Sequence, residues 1–307
     1  MSQPIHHHWV PQFYLRRFAT PDTATTKNPK VWIFSKDYDD GDPRLMSIRK
    51  ICGRRYLYSP IGPDGCREWA LESKLAGLES TLTEVWSILA TGYVDFSQHE
   101  SIRKLLALFI AILYLRHPDT LKESSELHNE IVRAWDQFPK KSDGTPAISN
   151  IEMDGNMYDL DIGDWETFRN WNRNDDHRFF TGLIERDAIF LAELLLKKRW
   201  SVVYADRPAF ITTDKPVGKQ HQSTKRFGFR TEGTIISFPL SPTRLLVLDN
   251  MHKEPADQYY PLDENIIGSI NLMIWRSSSK FMISPRNTDE VLLEMVSWAD
   301  RYEASQA

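Results

Sequence analysis

The sequence has little cysteine, no long apolar run and no strong excess of charge of either sign. Its 307 residues include two cysteines, Cys52 and Cys66. Neither belongs to a CxxC pair, and two thiols cannot by themselves build a structural zinc site. No base stands close to either thiol in the sequence, so neither is nominated as a nucleophile. The longest apolar run, Leu105 to Leu115, has 11 residues, well short of the ~20 that a membrane-spanning helix needs. No apolar segment follows Met1, so a secretory leader is not expected. A cytoplasmic protein with reduced thiols and no membrane partner is the expectation. The net charge of −4 excludes a broadly basic nucleic-acid coat but not a local basic groove. GxGxxG, P-loop, GxSxG, HExxH and EF-hand patterns are all missing. Nucleotide hydrolysis of the P-loop type and serine-hydrolase chemistry of the elbow type are therefore not expected.

What is present describes a globular protein. Apolar residues make up 41% and charged residues 26%, too apolar for a disordered chain. Ten tryptophans bury large areas and imply a sizeable core. The length suits one domain over 1–307, with room for two lobes. These would be a small hairpin plus helical bundle at 1–198 and a sheet with terminal helices at 199–307.

The chain reads as a β piece, a helical block, a sheet and final helices. Val31 to Asp37 is β-branched and aromatic, hence a strand, with Arg55 to Pro60 as a candidate hairpin partner. Apolar residues from Glu68 to Leu89 recur at a 3.6-residue period. A second helix is expected from an N-cap at Ser97 to Arg116, apolar nearly all round and hence central, with Pro118 as its stop. A third spans Asp119 to Phe138. Residues 139–164 read as a long polar loop with a short hairpin near Gly155. A fourth helix is expected from Thr181 to Lys198. The period then falls toward two. RWSVVYAD, AFITTD, TIISFPLSP and TRLLVLD read as strands, followed by a helix, an extended SKFMIS and a terminal helix. Segregated rather than alternating elements predict an α+β fold. A mostly helical block would pack on a small mixed or antiparallel sheet formed largely by the C-terminal half.

Four stretches stand together in order: HHHWVPQFYLRRF at the start, FIAILYLRHP from Phe109, FITTDKPV from Phe210 and FPLSP from Phe238. This combination resembles the domain-of-unknown-function family numbered 4238, over residues 6 to 285 of the chain. The resemblance implies a bacterial-type cytoplasmic protein of about this length, and that the polar residues of the four stretches belong together. It transfers no chemistry. The chain has Thr-Asp-Lys-Pro where Ser-Asp-Asn-Pro is usual, which leaves an amide role at Lys215 without support, and it carries an extra histidine at the start.

The candidate residues come from these stretches. If the opening is extended, His6 and His8 share one face and His7 the other. Two imidazoles at i and i+2 suit acid/base work, substrate contact or, with partners from elsewhere, a divalent metal. The plainer reading is one buried structural histidine and two solvated ones. Asp214 sits at the end of a strand in a turn stiffened by Pro216, a common place for a catalytic carboxylate; equally, Asp in a turn often binds backbone amides. Arg116 ends the most apolar helix. It either anchors that terminus or pairs with Asp214 or an anionic substrate. Tyr14 and Arg16 are candidate substrate contacts, with core packing the plainer role for Tyr14. Glu72 and Glu79, seven apart on one helix, suit a metal with a histidine from elsewhere, or simply a solvated helix face. Asn271, on a buried helical face, must be hydrogen-bonded and is placed to position a loop such as the Asp214 turn.

Two functions of different class follow. The first is a phosphoester hydrolase acting on nucleic acid or a nucleotide, in a toxin or phage-defence role, with a divalent metal as an open question. His7, His8, Arg116 and Asp214 would be catalytic in a cleft between helices and sheet. Tyr14, Arg16, Lys225, Arg226 and Phe227 would bind substrate, with basic runs tracking the backbone and phenylalanines stacking on bases. The second is a non-catalytic interaction module. There the same residues are structural, and loops 139–164 and 219–233 contact a protein partner.

Overall fold

The computed structural model describes residues 5–37, 42–140, 142, 150–153, 156–159, 165–221 and 227–306. The opening is extended over β1 (His6–His8) and then turns into one short helix, α1 (Gln12–Leu15). Three strands follow, β2 (Lys30–Ser35), β3 (Arg44–Ser47) and β4 (Gly53–Arg55). The expected pairing differs here. The strand after Arg55 does not form, because Cys52 and Tyr56 take φ of 53° and 56° and bracket β4 with left-handed corners. β4 pairs instead with β1, setting His7 opposite Arg54 and His8 opposite Gly53.

The helical block comprises α2 (Ala70–Thr91), α3 (Glu100–Leu115) and α4 (Pro118–Gln137). α3 is the central helix, with Leu106, Phe109, Ile110 and Leu113 all buried. It starts later than the Ser97 cap would allow, because the Ser97 amide and hydroxyl both bond to Asp95. Pro118 ends α3 and opens α4, its missing N–H costing nothing at a first helical position. The expected hairpin around Gly155 is present as β5 (Asn150–Met153) and β6 (Asn156–Asp159); most of the remaining 139–164 loop lies outside the described residues. α5 (Trp165–Arg169) and α6 (Arg173–Leu196) follow. α6 begins two turns before Thr181, where Asn172 and Asp175 form a reciprocal capping box. It packs along α3.

The rest is mainly sheet: β7 (Arg199–Tyr204), β8 (Thr212–Thr213), β9 (Gly218–Gln220), β10 (Ile235–Ser241), β11 (Arg244–Asp249) and β12 (Gln258–Pro261). Then come α7 (Ile267–Arg276), β13 (Phe281–Ser284) and α8 (Thr288–Gln306). One sheet has the order β12-β7-β11-β10-β9 and is mixed, because β12 runs parallel to β7. A second has the order β3-β2-β13-β8 and joins N-terminal to C-terminal chain. The architecture is α+β, as the segregation of elements predicts. No helix among the described residues is long and apolar enough to cross a membrane.

The main core fills the space between the helices and the five-stranded sheet. The Tyr14 ring stacks on Phe238 at 5.4 Å and meets the edge of Trp86 at 5.8 Å. Burying each such aromatic contributes about 2–3 kcal/mol, so the FYL run anchors the N-terminus against the sheet. α7 and α8 pack tightly at Gly268, where an added β carbon would strike the Glu294 carbonyl and stand 2.6 Å from Trp298 Cβ. Replacing Gly268 with Ala is therefore expected to lose about 2 kcal/mol of stability by overpacking, read as a lower urea midpoint; an unchanged midpoint would show that the helices separate freely.

Candidate functional site

Alternation along β1 divides the three histidines as extended geometry requires. His7 points inward and is 1% exposed. Its Nδ1 accepts the Tyr58 amide at 3.0 Å and its ring stacks on the Tyr58 ring. The imidazole proton is thereby assigned to Nε2. His6 and His8 share the other face with ring centroids 5.0 Å apart. Gly53 makes that possible: any β carbon there would collide with the His6 ring.

His8 opens onto a cleft of about 210 Å³, together with His6, Gln12, Glu72, Glu79 and Arg116. Each wall has its own structural cause. The seven-residue spacing of Glu72 and Glu79 puts both on one face of α2. Arg116 is the residue just beyond α3, where its carbonyl accepts the Tyr58 hydroxyl at 2.9 Å. Its guanidinium is 1% exposed. Nε donates to the Trp9 carbonyl at 2.7 Å and Nη1 to Glu79 at 2.8 Å. Nη2 is buried and has no acceptor among the described residues. Nine other buried side-chain polar atoms among the described residues share that state, so Nη2 stands out through the place of Arg116 in the cleft wall rather than through the missing partner alone.

The electrostatics separate the two acid/base candidates. Burial, and then the neighbouring Glu79 charge, push the Glu72 carboxyl up to about 7, with Arg116 pulling the other way. Near neutral pH it is divided between acid and carboxylate. His8 is pushed down to about 4, first by burial and then, against a hydrogen bond to the Arg49 carbonyl, by His6, Arg116 and His7. The Gln12 amide lies 3.4 Å from its Nδ1 and the Arg49 carbonyl 3.3 Å from its Nε2. His8 is thus held neutral as one tautomer, which suits orientation better than proton transfer near pH 7. Among the described residues, no group of three or more His, Cys, Asp or Glu side chains is placed to hold a metal ion.

Asp214 does not line this cleft. It is 1% exposed, and its two oxygens accept the amides of Ser279 at 3.1 Å and Lys280 at 2.8 Å. Its own carbonyl takes the Trp9 indole N–H at 3.1 Å. The anticipated meeting of Asp214 with Arg116 is replaced by a relay in which Trp9 bonds to both through its backbone and its ring. Asn271 pins the preceding strand, accepting the Ile211 amide and donating to the Ala209 carbonyl. Lys215 pairs with Asp119 at 2.8 Å.

The expected substrate contacts are placed elsewhere. The Tyr14 hydroxyl is sealed between Thr212 Oγ1 and the Pro239 carbonyl. Arg16 donates to the Ala24 and Thr26 carbonyls and so staples the following loop. Phe227 packs on His221 and lies 5.3 Å from the Lys219 ammonium, and it is not among the residues that line the cleft. Lys225 and Arg226 lie outside the described residues. Of the polar residues singled out by sequence, His8, Arg116, Glu72 and Glu79 are brought together. Gln12 is the addition; its only sequence signal is its position four residues after His8.

Stability should report the neutral histidines. His117 is also pushed down to about 4, first by burial. Unfolded imidazoles titrate near 6.5, so between pH 6.5 and 4 the unfolded chain binds more protons than the fold. Each such histidine then costs roughly 1.4 kcal/mol per pH unit as pH falls. Glu72, raised from 4.5 to about 7, works in the opposite sense over its own window. The two histidines outweigh Glu72, so the three together lose stability as pH falls from 6.5 to 4.5, by less than about 1.4 kcal/mol per unit because His8 and Glu72 are partly open to solvent. Urea unfolding from pH 7 to 4.5 should show the native chain losing more stability as pH falls than His117→Gln does; parallel profiles would contradict the burial of the His117 ring.

The fold and cleft define an α+β protein with a buried arginine beside two carboxylates. The profile of the family described as Protein of unknown function (DUF4238) matches residues 6–288, and the chain belongs to that family. No curated protein and no solved structure matches it.

Proposed function

We propose that this cleft is the active site of a phosphoester hydrolase acting on a nucleotide or nucleic-acid substrate. One observation carries the reading: a carboxyl that titrates near neutrality, Glu72, stands beside a buried guanidinium with a spare donor. Glu72 as carboxylate would take the proton from an attacking water. The water oxygen forms the new bond to phosphorus, the ester P–O bond breaks on the opposite side, the leaving alkoxide takes a proton from solvent, and Glu72 returns its proton to solvent. Arg116 would stabilise the charge gathering on the phosphoryl oxygens. His8 and Gln12 would orient the substrate.

Untagged protein assayed on phosphomonoesters, phosphodiesters, DNA and RNA, with and without EDTA, tests this. The rate should rise with pH through about 7, and Glu72→Gln should lower kcat by about 10²-fold or more. No turnover across the panel, or full activity in the Glu72→Gln variant, would overturn it. The alternative reading, a non-catalytic interaction module, draws on the structural roles of Tyr14, Arg16 and Asp214, and it predicts partner binding that Glu72→Gln leaves intact.

A further inference from the structure

A second, larger cavity of about 930 Å³ lies where β4, the start of α4 and the start of α6 meet. Its size falls within the range of small-molecule sites. Arg54, Arg55 and Arg173 line it and are exposed. None of the three makes a side-chain hydrogen bond or ion pair within the described residues. Of the three carboxylates in the same wall, Asp119 is paired with Lys215 at 2.8 Å and Glu126 with Lys122 at 3.6 Å, which leaves Asp176 as the one carboxylate set against three arginines. The cavity therefore carries uncompensated positive charge in a protein that is acidic overall. His177 feels this field. Burial lowers its pKa most, the Leu57 carbonyl opposes, and the charges of Arg67, Arg54 and Arg173 lower it further. Leu57, Ile61 and Leu121 supply an apolar part of the wall, as a base or ribose face requires.

We propose that this cavity binds a nucleoside polyphosphate, its phosphates held by Arg54, Arg55 and Arg173. Guanidinium forks match phosphate oxygens two at a time. A cavity of about 930 Å³ with an apolar wall beside its arginines has room for one nucleotide, whereas a continuous strand needs an extended basic groove. This goes beyond the hydrolytic reading and does not depend on it, because the prediction is of binding and the cavity is not the cleft.

Calorimetric titration with ATP, with adenosine as control, is the test. ATP should bind and adenosine should bind at least about tenfold more weakly, since the charged hydrogen bonds are lost. The triple variant Arg54→Ala, Arg55→Ala, Arg173→Ala should lose at least about tenfold in ATP affinity. These positions are exposed, so its thermal midpoint should stay near that of the native chain. A charge-keeping triple lysine variant should recover part of the affinity. Equal affinity for ATP and adenosine, or native ATP affinity in the triple alanine variant, would overturn the proposal. So would a single-stranded oligonucleotide that binds the cavity more tightly than ATP, because that marks a strand-tracking groove.

Discussion

Replacing Arg116 with Ala is expected to destabilise the protein by about 3 kcal/mol and to remove any hydrolytic activity of the cleft. The guanidinium is 1% exposed and holds two structural partners, the Trp9 carbonyl and Glu79. Without it the half-buried Trp9 carbonyl loses its donor, and Glu79 stands next to Glu72 without the Arg116 charge. Breaking a buried ion pair from one side costs about 3–5 kcal/mol. Glu79 is partly exposed, with 28% of its side-chain surface open, and can recover some hydration, so the low end applies. Arg116→Lys separates stability from chemistry. A lysine keeps the charge beside Glu79 but lacks the planar fork, so most of the stability should return while kcat stays lower by about 10²-fold. Urea unfolding and steady-state rates on the same preparations give the two numbers. Full activity in Arg116→Lys would remove the guanidinium from the mechanism.

Asp214→Asn should act in the opposite sense, losing stability but not chemistry. The carboxylate accepts two amides, one per oxygen. An amide side chain offers one acceptor and turns a donor toward the second N–H, leaving it buried against like polarity. Each buried polar group left unsatisfied costs about 1–3 kcal/mol, so a loss of about 2 kcal/mol is expected. The rate per folded molecule should equal that of the native chain. A stable but inactive Asp214→Asn variant would return this residue to the active site.

The same residue shows where sequence reading reaches and where it stops. An Asp before Lys-Pro at a strand end predicts a defined turn, and the turn is there. Whether the carboxylate faces solvent, substrate or amides depends on what the chain brings up from elsewhere, and Ser279 and Lys280 lie some distance along in sequence. The opening behaves likewise. Alternation along HHH separates His7 from His6 and His8 correctly, and the FYL run docks into the core as its aromatics suggest. The partner strand is not legible, because the left-handed corners at Cys52 and Tyr56 carry no glycine to announce them. Helix periods locate α2, α3 and α4 to within a few residues. Glu72 and Glu79 look like a solvated face at that level. Only the packing of β1 and Arg116 against α2 turns that face into a polar cleft and raises the Glu72 pKa.

A crystal structure of the protein with orthovanadate, a phosphoryl-transfer analogue, tests the central claim most directly. Vanadate should lie in the 210 Å³ cleft, accept from Arg116 Nη2 and stand within hydrogen-bonding reach of Glu72, with His8 and Gln12 beside it. A cleft that stays free of vanadate at concentrations that fill other anion sites, with Arg116 Nη2 still unpaired, would contradict the account.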